Sequence, residues 1–333
     1  MEQDTSTQVT LFRTIKESLP SNLSFVHEIS ELLEISYDSA YRRIRGEKEL
    51  SMDELCKICH HYHISIDAFF NLNRDNMLFR SLAIGSEGKD FLDWLKDIAN
   101  DMKMIHSAHE KEILYFAKDI PVFHYFEFPT LFAFKVFFWH KALFPPSGSG
   151  NRFNPGAVPE EILTLGKQIL ANYNKIPVVE IWNQESFDSI LRQVEYCYVS
   201  GYFNGKDEAL DVLSVLESMI RHMQQQAELG FRFFHGEAPV GQEGMYKIYL
   251  NEVLLGDNTI HVTTDGRKSV YLTYNVINLL KTTDEVFCKQ IEDSMRNLMQ
   301  KSTLISSTAA KERNRFFNHL AAEIWRVMEE IGK

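Results

Sequence analysis

Four cysteines are few for a chain of 333 residues, and Cys56, Cys59, Cys197 and Cys288 form neither a disulfide framework nor a four-ligand zinc pattern. A reducing cytoplasm is the expected setting. Positive charge is also scarce. The formal net charge is −11, and residues 1–80 hold nine Lys/Arg against thirteen Asp/Glu. That disfavours a protein that binds nucleic acid over its whole surface, so any such contact must come from a local basic patch. Long uncharged apolar runs are missing too. The most apolar stretch, 113–144, is interrupted by Lys118, Asp119, Glu127 and Lys135, short of the roughly 18 residues a membrane span needs. The polar, acidic start lacks the basic and apolar segments of a signal peptide. There is no nucleotide-binding Gly-rich loop, no H-E-x-x-H, no G-x-S-x-G and no Ser/Lys pair of the self-cleaving kind. No enzyme, catalytic residue, metal or cofactor is therefore expected.

What is present is globular: 44% hydrophobic, 24% charged and long enough for two domains or more. Short helical periods with turn signals occupy 9–75. Residues 76–87 read as a connector, and a long amphipathic helix is predicted over 89–117. Phe91, Leu95, Ile98, Met102 and Ile105 give that helix a short heptad-like seam. The seam predicts either packing on its own domain or a dimer contact. Twelve aromatics follow in 113–144, among them Phe123, Tyr125, Phe126, Phe128, Phe132, Phe137, Phe138 and Trp139. They suit a large core, a subunit interface or a pocket for an apolar effector. A Pro/Gly/Ser-rich loop is predicted at 145–159, then helices at 159–173, 185–203 and 206–228. Segments 245–255, 258–265 and 268–280 are rich in β-branched and aromatic residues, with Asp265-Gly266 marking a hairpin. In the last segment Val270, Leu272 and Tyr274 share one face and Tyr271, Thr273 and Asn275 the other. Helices are predicted at 284–300 and 309–331.

The sharpest pattern is LSFVHEISELLEISYDSAYRRIRG at 23–46. Ser24 is placed to cap a helix whose apolar face is Val26, Ile29, Leu32 and Leu33. Glu34-Ile35-Ser36 makes a tight connection. Ser36 caps a second helix, Tyr37 to Arg45, and Gly46 ends it. Ala40 and Ile44 point that helix at the first, and Ser30 sits where the two approach. Outward point Tyr37, Asp38, Ser39, Tyr41, Arg42 and Arg45. A helix laid in a major groove presents such residues to base edges. Arg takes guanine O6 and N7, and Asp accepts from cytosine N4. Arg43, Arg45 and Lys48 are candidates for phosphate contacts.

The residues that follow, ELSMDELCKICHHYHISIDAFF at 49–70, resemble the last two helices of the Cro/C1-type (XRE family) repressor domain. Leu55, Ile58, Cys59, Ile64, Ser65, Asp67 and Phe69 stand at the family's pattern positions. The resemblance covers about 60 residues. It implies a five-helix DNA-binding domain with Tyr37–Arg45 as recognition helix, and double-stranded DNA as partner. Glu34 departs from the usual turn glycine, and Arg43 from a common apolar residue.

Other signals are weaker. Cys56-x-x-Cys59-His60 matches haem attachment in spacing, but Cys59 falls on the inner face of a helix, where a small apolar residue is wanted. A zinc site from Cys56, Cys59, His60, His61 and His63 would turn two histidines away. His106, His109 and Glu110 fit a solvated helix face, and His235, Glu237 and Glu243 have no fixed geometry. The expected fold is mainly α with a smaller α+β part: a five-helix domain at 1–75, the connector and long helix at 76–118, and a helical region with a few antiparallel strands at 119–333, including a sub-module at 245–333. The resemblance implies a dimeric, sequence-specific transcription regulator. Its C-terminal region would dimerise and take a small-molecule or peptide effector, with no membrane partner. The alternative is an interaction adaptor whose helix-turn-helix binds protein.

Overall fold

Capping serines set the pace of the N-terminal fold. The structure, a computed structural model, describes residues 6–18, 24–62, 64–66, 69, 77–84, 90–143, 152–252 and 256–333. Residues 1–78 form one compact unit and residues 79–333 another. In the first unit, α1 spans Thr7–Ser18, α2 Phe25–Leu33, α3 Tyr37–Ile44 and α4 Met52–His61. Ser36 accepts from the Ser39 amide at the start of α3. Ser51 and Glu54 form a reciprocal capping box at the start of α4. Ser24 stands at its cap position but makes no side-chain cap bond, so the expected Ser24 cap is corrected. Leu11, Phe12, Ile15, Phe25, Ile29, Leu33, Ala40 and Ile58 make the core, with Val26, Leu32 and Ile44 partly buried on it. Four helices are described where five are expected. The fifth falls outside the described residues, apart from the helical Ile66 and Phe69.

The second unit is built on one sheet. Its strands are β1 Arg80–Leu82, β2 Lys111–Ala117, β3 Val178–Trp182, β4 Tyr246–Leu250, β5 Thr259–Thr264, β6 Arg267–Tyr274, β7 Asn278–Thr282 and β8 Thr303–Leu304. Their order is β1-β7-β6-β5-β2-β3-β4-β8. The β2–β3 and β3–β4 pairs are parallel and the rest antiparallel. This corrects the expectation of a few antiparallel strands. The strands after residue 245 are not a module of their own, because β2 and β3 lie among them in the same sheet.

The helices of this unit are α5 Phe91–Ser107, α6 Pro129–Leu143, α7 Glu160–Tyr173, α8 Asp188–Val199, α9 Lys206–Leu229, α10 Glu285–Gln300 and α11 Ala310–Gly332. The helix expected over 89–117 ends at Ser107. Ala108 is extended, and the β-prone run Ile113–Phe116 enters the sheet instead. Leu95, Ile98, Met102 and Ile105 of the seam are buried inside the unit, so that face of α5 is spent internally. Phe123, Tyr125, Phe126, Phe128, Phe132 and Trp139 are likewise core.

Alternation of the strands gives the sheet two faces. Ile113, Tyr115, Val178, Trp182, Tyr246 and Ile248 join the large core. Leu114, Phe116, Val179 and Ile181 pack on Met295 of α10. Asp265 and Gly266 both take positive φ, 47° and 79°, and close the β5–β6 hairpin as the sequence predicts. The run 268–280 is split by Asn275 and Val276, also at positive φ (43° and 77°), so β6 turns back as β7. No helix among the described residues is long and apolar enough to cross a membrane.

Candidate nucleic-acid interface

The α2–α3 connection needs one left-handed residue. Glu34 supplies it, at φ 56° and ψ 42°, while its amide and that of Ile35 close the end of α2 on Glu31 and Ser30. A side chain at such φ is strained where glycine is not. Glu34→Gly is therefore expected to stabilise the N-terminal unit by about 0.5–1 kcal/mol, read as slower amide hydrogen exchange across 25–44. Faster exchange would show that the Glu34 side chain contributes more than its backbone strain costs.

From this corner α3 emerges with a polar outer face. Tyr37 and Tyr41 are 57% and 44% exposed, and Asp38, Arg42, Arg45 and Lys48 are exposed with them. Positions 37, 41 and 45 follow one another at helical spacing, as do 38 and 42, so they share one face. The Arg45 guanidinium lies 5.6 Å from the Tyr41 ring centroid and 3.2 Å from the Glu47 carboxylate. Ser39 is half-buried and bonded to Ser36, which fits an end-of-helix role more than a long reach. Ala40 is fully buried beneath.

Arg43 does not join this face. It is 6% exposed and turned inward. Its Nε and Nη2 donate to the two Glu54 oxygens at 3.1 and 2.7 Å, and its Nη1 donates to the Ser39 carbonyl. Three of its five N–H donors are taken inside the unit and the group is buried, so Arg43 is not placed for the phosphate contact expected of it, and that expectation is corrected. Burial pushes the Glu54 carboxyl up, but the Arg43 and Ser51 bonds outweigh it and leave it below its ordinary value.

Gln8 of α1 completes the site, and sequence reasoning missed it. Its amide donates to the carbonyls of Arg43 and Lys48 and accepts from the Leu50 amide. The turn after α3 is thereby fixed, with Glu47 and Lys48 amides both folding back on the Arg42 carbonyl. Arg42, Arg45 and Lys48 are thus held around one helix end. No local pattern marks Gln8, because its partners lie 35 to 42 residues away.

Cys59 is buried in the α4 face that meets the core and Cys56 is exposed, so the two do not turn the same way. In the C-terminal unit, the His235 amide donates to Glu127, and its ring packs against Phe128 and His222. Glu237 and Glu243 are exposed. Comparison of the chain with protein-family models, with curated proteins and with solved structures finds no match.

Proposed function

We propose that this protein is a sequence-specific DNA-binding transcription regulator of the Cro/C1 (XRE) kind. The observation that carries the reading is the Ser36-capped helix α3, which is set on a buried Ala40 and presents Tyr37, Asp38, Tyr41, Arg42 and Arg45 on one exposed face. Arg42 reads a base edge, and Arg45 and Lys48 meet phosphates. Cytoplasmic work on operator DNA as a dimer follows the same reading, since one such helix reads few base pairs and two half-sites one helical turn apart multiply affinity. The α5 seam is buried within its own unit, so dimerisation uses another surface. With three outward cations in an acidic chain, weak non-specific binding is expected.

Selection of bound sequences from a random oligonucleotide pool, at several salt concentrations, tests this with the full chain. The expected outcome is a two-fold related site whose affinity falls with salt. Arg42→Ala should cost about 1–3 kcal/mol and relax preference at one position of each half-site. Lys48→Ala should weaken all sequences alike and flatten the salt slope. Absence of any salt-dependent binding would favour the second reading, an adaptor whose α3 face docks on protein. The acidic balance of residues 1–80 is what speaks for that reading.

A further inference from the structure

A cavity of about 130 Å³ lies inside the C-terminal unit, between α5 and the sheet. Its floor is a cross-strand row, Tyr115 of β2, Ile260 of β5 and Tyr271 of β6, placed side by side by the register. Its roof is α5, through Trp94, Ile98 and Met102. Exposed Val276, in the β6–β7 turn, brings the lining to the surface.

Two polar clusters border the cavity. Asp101 of α5 accepts from the Tyr271 hydroxyl at 2.8 Å and from Lys281 at 3.0 and 3.1 Å. Asp119 accepts from the Ser189 hydroxyl at 2.7 Å and faces Lys135 at 3.5 Å, a lysine only 1% exposed that also donates to Gln193. Both carboxylates on the wall are therefore already matched by a cation. A charged guest would find no free counter-charge and would lose its hydration.

One polar group on the wall is different. The Trp94 side chain is 3% exposed, and its indole N–H has no hydrogen-bond partner. A buried indole N–H ordinarily finds an acceptor, and leaving one unmet is costly. Here it belongs to a residue that lines an apolar space of fragment size. We infer that this cavity is a binding site for a small uncharged ring compound carrying a hydrogen-bond acceptor, held by apolar contact and oriented by the Trp94 N–H. The turn at the mouth adds a second unusual feature. Val276, a β-branched residue, holds φ 77° there, a conformation such residues rarely adopt.

This inference stands apart from the DNA-binding reading, and either can fail alone. Its probe is coumarin, a neutral fused ring with a lactone carbonyl, titrated into the full chain and followed by tryptophan emission and thermal shift. Naphthalene, of similar shape without an acceptor, and 2-naphthoate, which is anionic, are the controls. Coumarin should bind saturably and about fivefold more tightly than naphthalene, and 2-naphthoate should not bind. Trp94→Phe keeps the ring surface and should erase the coumarin advantage while naphthalene still binds. Ile98→Trp, which fills the space, should abolish both; Ile260→Trp fills it from the floor and serves if the first does not fold. No saturable binding of any probe up to about 1 mM, binding untouched by both filling substitutions, or preference for 2-naphthoate would each overturn the inference.

Discussion

Glu180→Gln is expected to destabilise the C-terminal unit by about 3 kcal/mol, and Glu180→Ala to prevent its folding. Glu180 is at 0% exposure in the centre of β3. Its two oxygens collect bonds from four residues. The Tyr173 and Tyr246 hydroxyls donate at 2.7 Å, the Trp182 indole donates at 2.9 Å, and the His124 Nε2 stands 3.1 Å from both oxygens. Arg232 lies over the Tyr173 and Tyr246 rings, 4.0 and 4.9 Å from their centroids. Burial pushes the Glu180 carboxyl up, but His124, Arg232 and the Tyr173 bond outweigh it and hold the group at about 2. Glutamine keeps the size and loses the charge. Its amide then points two donors at groups that also donate, and an unmet buried donor costs about 1–3 kcal/mol.

The pH dependence follows with a definite sign. A carboxyl whose folded value lies below its ordinary 4.5 lends stability in full above that value and loses it as pH falls toward about 2. Wild type should therefore weaken through that window by an amount of order 3 kcal/mol, and Glu180→Gln should lack this component. All four tryptophans, Trp94, Trp139, Trp182 and Trp325, lie in the C-terminal unit, so urea unfolding followed by their emission reports on it alone. A loss below about 1 kcal/mol on Glu180→Gln would show that the donors find other partners.

The same residue explains why the sheet was hard to read. Strand β3, Val-Val-Glu-Ile-Trp, is buried along its whole length, so it shows no alternation. A lone glutamate at its centre looks like surface until four donors from elsewhere are known. Strand β2 was hidden differently. Its run Ile113–Phe116 continues the apolar content of α5 after a short break, so the helical period in the sequence extends past the true helix end at Ser107. Parallel partners meet only across long crossovers, and nothing local announces β2 beside β3. The β5–β6 hairpin was legible because Asp265-Gly266 encodes it in two residues. The reversal at Asn275–Val276 was not, since a valine at positive φ defies the rule by which turns are read.

In the N-terminal unit the legible part was local. Ser36, Ala40 and Gly46 carry their information within one helix turn of where it acts, and each is seen in the expected role, whereas Ser24 makes no cap bond. Side-chain direction was less accessible. Arg43 sits among Arg42, Arg45 and Lys48 in the sequence and reads as one more surface cation. Its partner, Glu54, lies 11 residues further on, and no local pattern marks it as the group that takes a guanidinium.

Arg43→Ala should accordingly unfold the N-terminal unit in part and not simply trim one phosphate contact. The change removes both donors that face Glu54 and leaves that carboxylate, with 18% side-chain exposure, holding only its Ser51 bond. Breaking such a pair costs about 3 kcal/mol, a large share of the stability of a unit this small. Hydrogen exchange across 25–62 should speed up accordingly. The stabilisation from the pair should be complete above the ordinary carboxyl value of 4.5 and fade as pH drops below it, because the folded Glu54 lies lower. The double variant Arg43→Met with Glu54→Leu separates the two explanations. Apolar residues of similar volume often replace a buried ion pair without loss, so this variant should regain slow exchange and, with Arg42, Arg45 and Lys48 untouched, bind DNA with the wild-type salt slope. If Arg43 met a phosphate, the double variant would fold and yet show a slope smaller by about one. A wild-type slope on a refolded double variant assigns Arg43 to the frame that holds α3 and, under the proposed DNA-binding function, leaves base reading to Arg42 and its neighbours.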